Sequence, residues 1–146
     1  VARYMKLPVA IADKERDDHN ENAKIIDIVG NVRDKNVLIV DDFTISGGTL
    51  TDLANELKKR GARRILACLS HILLNEKGVK RLEKSPIEKL ISTDSVNNPY
   101  ILSSKKVKII SAAPLFAETI GRIHRRESVS PLFKEAPREL LHIEDD

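Results

Sequence analysis

The chain has 146 residues, 41% of them apolar and 32% charged, with a formal net charge of +3. That is the size of one ordinary domain with enough apolar material for a core. Aromatics at 3%, no Trp and charges of mixed sign leave neither a stacking surface nor a basic stripe, so no nucleic-acid partner is expected.

One cysteine, Cys68, excludes a disulfide framework within the chain and makes a cytoplasmic home the expectation. No apolar run approaches membrane-spanning length and no signal peptide is visible, so no membrane partner is expected. The first residue is Val rather than Met, which suggests a piece of a larger protein.

In chain order, Leu7 to Asp13 is a short apolar run that predicts a buried strand, and the polar stretch from Lys14 to Lys24 predicts a mobile loop. Ile25 to Val32 reads as a strand and turn. Asn36 to Asp42, "NVLIVDD", is the clearest strand. After it, Leu50, Leu53, Ala54 and Leu57 fall at helical spacing, with three basic residues in the last turn and Gly61 at the stop. "RILACLSHILL" predicts a strand and "EKGVKRLEKS" a short polar helix before Pro86. "IEKLISTDSV" and "VKIISAA" predict strands. "LFAETIGRIHRRES" predicts an amphipathic helix with Phe116, Ile120 and Ile123 on one face. The acidic tail, 134–146, is expected to be poorly ordered.

Strands alternate with helices and read as apolar on both faces, which predicts an α/β fold with a parallel sheet flanked by helices. Ligands of such folds sit beyond the carboxyl ends of the strands, where Asp13, Asp42 and Asp94 are expected. The loop Ser46-Gly47-Gly48-Thr49 joins the clearest strand to a helix start. Unpaired N–H groups there attract an anion, glycines allow close approach, and the two hydroxyls add donors. No Walker or dinucleotide fingerprint occurs. Asp41 and Asp42 would repel a phosphate placed beside them, but a carboxylate can accept from sugar hydroxyls or bind a divalent metal. The loop therefore reads as a ribose-phosphate site; the plainer alternative is an Asp pair serving as turn and cap residues.

"LIVDDFTISGGTL" resembles the ribose-phosphate loop of type I phosphoribosyltransferases and of the ribose-phosphate pyrophosphokinases, or phosphoribosyl pyrophosphate synthases. "VAIADKER", "SHILL", "STDSV", "SAAPLFAETIGRI" and "ESVSPLF" are similar to segments of the second family in the same order, over nearly the whole chain to Phe133. The resemblance implies a phosphoribosyltransferase-type domain at 1–133, the carboxyl-terminal half of a synthase that transfers pyrophosphate from ATP to ribose 5-phosphate. It further implies that Asp41 and Asp42 hold the ribose hydroxyls, directly or through magnesium (Mg2+), and that Ser46, Gly47, Gly48 and Thr49 take the phosphate. Lys14 and Arg16 would stabilise the moving group, ATP would bind mainly through another domain and a neighbouring subunit, and a homo-oligomer is expected. Ser128, Ser130 and Phe133 would belong to a regulatory anion site. His71 looks like a family histidine; on its own it reads as structural.

Two positions depart from the pattern: Ile45 stands where the synthase loop usually carries an acid, and Pro131 where many relatives have serine. A phosphoribosyltransferase acting on a nucleobase and a non-catalytic regulatory homologue are the rival readings.

Overall fold

The computed structural model describes residues 5–15 and 24–134. Arg16, most of the polar stretch after Lys14, and residues 135–146 of the tail lie outside the described residues.

The chain opens with an antiparallel pair, β1 (Ile11–Glu15) and β2 (Lys24–Val29), which forms its own two-stranded sheet. The first run was expected to be buried and to end in the parallel sheet, and both expectations are corrected. Leu7, Val9 and Ile11 are exposed, and Asp13 lies mid-hairpin opposite Asp27. Lys14 and Lys24 belong to the strands rather than to the loop between them. Backbone pairing across a hairpin satisfies N–H and C=O groups whatever the side chains, so polar residues can extend a strand that apolar patterning ends early.

Four parallel strands follow: β3 (Asn36–Thr44), β4 (Arg64–Ile72), β5 (Lys89–Thr93) and β6 (Val107–Ile110), lying side by side in sequence order. Helix α1 (Gly48–Lys59) joins β3 to β4, and α2 (Glu76–Lys84) joins β4 to β5. A 3₁₀ turn, Pro99–Ser103, lies before β6. Right-handed crossovers that all advance the same way put the connecting helices on one face. There Ile39, Ile65, Ala67, Leu69 and Leu90 meet Leu50, Ala54 and Leu57 of α1 and Val79 and Leu82 of α2 in one core.

The opposite face is only partly covered: Val40 is 48% exposed and Leu66, Cys68 and Ile91 are half-buried. Apolar residues on both faces thus do not mean equal burial here. Helix α3 (Ala113–His124) forms as the spacing predicts. Phe116, Ile120 and Ile123 share a face, but each is more than 60% exposed. A final short helix, α4 (Ser130–Lys134), buries Leu132 and leaves Phe133 at 86% exposure.

The helix ends follow local chemistry. The C-terminus of α1 closes as a Schellman turn: the N–H of Gly61 (φ 87) donates to Lys58 O and that of Ala62 to Leu57 O. Arg60 at the same end donates to Ile28 O at 3.0 Å, tying β2 to the helix. Helix α2 starts on Asn75, whose Oδ1 accepts from the N–H of Gly78 at 2.9 Å. It stops at Ser85, before Pro86, as expected. Among the described residues, no helix is long and apolar enough to cross a membrane.

Candidate functional site

The carboxyl ends of β3, β4 and β5 lie along one edge of the sheet because the strands are parallel and in register. On β3, Asp41 and Asp42 are exposed, and Asp41 Oδ1 accepts from the N–H of Asp42 at 2.9 Å. Successive strand residues point to opposite faces, so the two carboxylates diverge. Thr44 is buried, and its carbonyl accepts from the N–H of Leu73, which fixes the point where the chain leaves the sheet.

The loop then turns sharply. Gly47 has φ 71, a left-handed conformation that costs side-chain-bearing residues about 1–2 kcal/mol. Gly47 is the N-cap of α1, and no side chain caps the helix. The N–H of Gly48 reaches Ser46 Oγ at 3.3 Å, and that of Thr51 bonds Gly47 O. The N–H groups of Thr49 and Leu50 meet no acceptor among the described residues. With no acidic side chain in the first turn, the positive end of the helix dipole stays uncompensated. Ser46, Gly47, Gly48 and Thr49 therefore form one donor-rich turn with Asp41 and Asp42 just upstream.

Other groups share the edge. His71, at the end of β4 and opposite Phe43, has its Nδ1 2.7 Å from Ser95 Oγ. Thr93 Oγ1 donates to Ser70 O at 2.7 Å, so Ser70, Thr93, Ser95 and His71 link β4 to the end of β5. Asp94 accepts from the Ser111 hydroxyl and from the N–H of Ala112, fastening the end of β5 to the approach to α3. Those two bonds, the hydroxyl's first, hold its carboxyl below the usual range. Ile45, 59% exposed, projects from the loop.

Lys14 lies on β1, opposite Ile25, and Arg16 lies outside the described residues. Ser128 Oγ accepts from the N–H of Ser130 at 3.2 Å, while Arg122 donates to Ser128 O at 3.1 Å. These bonds fold the 128–133 segment back on α3 and leave Ser128, Ser130 and Phe133 exposed on it. Among the described residues no three metal-ligating side chains cluster; beside the loop Asp41 and Asp42 are the carboxylates at hand, and being divergent they would offer a cation one ligand rather than two. Magnesium, which keeps several waters and needs only one or two carboxylates beside substrate phosphates, fits that sparse donor set.

A cleft of about 340 Å³ runs between β1 and β3, lined by apolar residues such as Ile11, Ile28 and Leu38, with Asp41 as its single charged lining residue among the described residues. Its apolar walls do not suit a phosphate. Nothing in the sequence pattern marks Arg81, whose Nη1 lies 3.4 Å from Ser46 O, from a position 35 residues away. Only the packing of α2 against the loop reveals it.

The chain is similar to known proteins over most of its length. A family model described as the phosphoribosyl synthetase-associated domain matches residues 3–134. A ribose-phosphate pyrophosphokinase of Listeria ivanovii is 42% identical over 134 residues, which cover 92% of this chain and 42% of that relative. One from Campylobacter jejuni is 36% identical over 133 residues, covering 91% and 42%. The crystal structure of phosphoribosylpyrophosphate synthetase from Mycobacterium smegmatis superimposes with a TM-score of 0.75 at 25% identity, over 86% of this chain and 40% of that one. The chain thus spans about two-fifths of the length of the curated relatives it matches. With the family model covering nearly all of it, the chain belongs to the phosphoribosyl synthetase-associated domain family.

Proposed function

We propose that this chain is the ribose-5-phosphate-binding half, corresponding to the carboxyl-terminal domain, of a phosphoribosyl pyrophosphate synthase. The observation that carries the reading is the uncapped start of α1 at Gly47–Gly48, with hydroxyls on both sides and two carboxylates just upstream. The phosphate would sit on the N–H groups of Gly48, Thr49 and Leu50, where the helix dipole favours an anion. Ser46 and Thr49 would donate their hydroxyls to it. Asp41 or Asp42 would accept from the ribose hydroxyls. The relatives' name, ribose-phosphate pyrophosphokinase, supports the ligand class.

In the full reaction, the 1-hydroxyl of ribose 5-phosphate would take the β,γ-pyrophosphoryl group of ATP, releasing AMP. Such transfer depends chiefly on positioning and electrostatics. Lys14, on β1, and Arg16, two positions later in the sequence, are proposed as cations for the moving group. Magnesium, when bound, would neutralise phosphate charge, with Asp41 or Asp42 as its protein ligand. ATP would be held largely by parts of a synthase that this chain does not span, including a neighbouring subunit. Ser128, Ser130 and Phe133 are proposed as part of an effector site for a phosphorylated ligand.

Titration calorimetry with ribose 5-phosphate tests the core of this reading. Wild-type chain should bind at millimolar concentrations or below, and Thr49→Ala should weaken binding several-fold. If neither protein binds any phosphorylated sugar, the loop does not hold phosphate.

A further inference from the structure

We propose that Arg81 is a further phosphate ligand of this site, a cation delivered by α2 to a loop that has none of its own. The proposal rests on the phosphate-loop reading above. From Asp41 to Thr49 the sequence contains two carboxylates and no Lys or Arg. A phosphate monoester carries between one and two negative charges near neutral pH. The helix end offers only about half a positive charge in return. The loop itself thus offers the phosphate no full positive charge, and any side-chain cation must come from elsewhere in the fold.

Arg81 is placed to supply it. Its Nη1 donates to Ser46 O at 3.4 Å. A methyl group built on Gly48 would lie 2.9 Å from the same Nη1, so the guanidinium hangs over the first residue of α1. The absence of a side chain at Gly48 is what leaves it room. Arg81 is exposed and, unlike Lys80 beside it, which pairs with Glu76, it pairs with no carboxylate among the described residues. A guanidinium has five N–H donors in a rigid fork, so one bond to Ser46 O leaves most of them for phosphate oxygens. The single bond to the carbonyl aims the group without consuming it.

Backbone contact supports the same geometry. A methyl group on Gly78, one turn before Arg81, would lie 3.1 Å from Ser46 O. The helix thus packs directly on the loop, and the position of Arg81 follows from that packing rather than from its own flexible stem.

The test is calorimetry of the 146-residue chain with ribose 5-phosphate, for wild type, Arg81→Gln and Arg81→Lys, each at low and moderate ionic strength. Circular dichroism would verify that the exposed substitutions leave the fold intact. Arg81→Gln should weaken binding about tenfold and Arg81→Lys less. The affinity of Arg81→Gln should also fall less steeply with salt than that of wild type, since one phosphate-facing charge is gone. Equal affinity in wild type and Arg81→Gln overturns the proposal while leaving the loop as the phosphate site. Weaker binding with an unchanged salt dependence also overturns it, because Arg81 would then only brace Ser46. Failure of wild type to bind ribose 5-phosphate overturns the loop reading and this proposal together.

Discussion

Single residues at the strand ends set both the charge and the shape of the site. At Gly47, φ 71 makes an alanine costly, and its methyl would also press on Leu74 Cδ2 at 3.1 Å. Gly47→Ala is expected to lower stability by about 1–2 kcal/mol in urea unfolding and to weaken phosphate binding. Asp94 makes a pH prediction. Its folded carboxyl is depressed by the Ser111 hydroxyl and then the Ala112 N–H. A depressed carboxyl contributes stability that is present above its ordinary value, about 3.9, and is lost as pH falls through the lower folded value. Ser111→Ala should therefore reduce stability at neutral pH and flatten its decline in acid, measured as melting temperature against pH. At this scale the sequence was informative where the chemistry is contiguous. Ser46 to Thr49 and the Asp pair stand within a few positions of one another and could be read together. Arg81 could not, because its relation to Ser46 exists only after α2 has packed on the loop.

At the scale of elements, the end of α2 that faces the loop depends on one cap. Asn75 Oδ1 satisfies the N–H of Gly78, so Asn75→Ala should cost about 1 kcal/mol. Because the same helix carries Arg81, the variant should also lose ribose 5-phosphate affinity; urea melts and calorimetry on one preparation would check both. Elements β3 and α1 were legible for clear reasons: an unbroken apolar run before the acids, then apolar spacing at i, i+3, i+4 and i+7 closed by Gly61. Helix α3 formed where the spacing placed it, whereas the burial of β1 was misjudged. Apolar patterning reports which face can be buried, not whether a partner covers it. Phe116, Ile120 and Ile123 form the face that the spacing predicts, yet it is exposed among the described residues. Strand β1 is held by backbone pairing to β2, which side-chain patterning does not register.

On the scale of the molecule, this chain matches about two-fifths of each curated relative. Incubated alone with ATP, magnesium and ribose 5-phosphate, it should make no phosphoribosyl pyrophosphate; robust turnover by this chain would show that it needs no further domain. The sheet also has a temporal side. Each parallel strand pairs with the next one in sequence, so successive βαβ units can form one after another. The unit β3–α1–β4 contains the whole turn from Asp41 to Thr49, while Arg81 belongs to the following unit. Two successive units would thus meet at a single bound phosphate. A ligand held by both would act as a clasp between them, so added ribose 5-phosphate should slow amide hydrogen exchange in α2 as well as in α1.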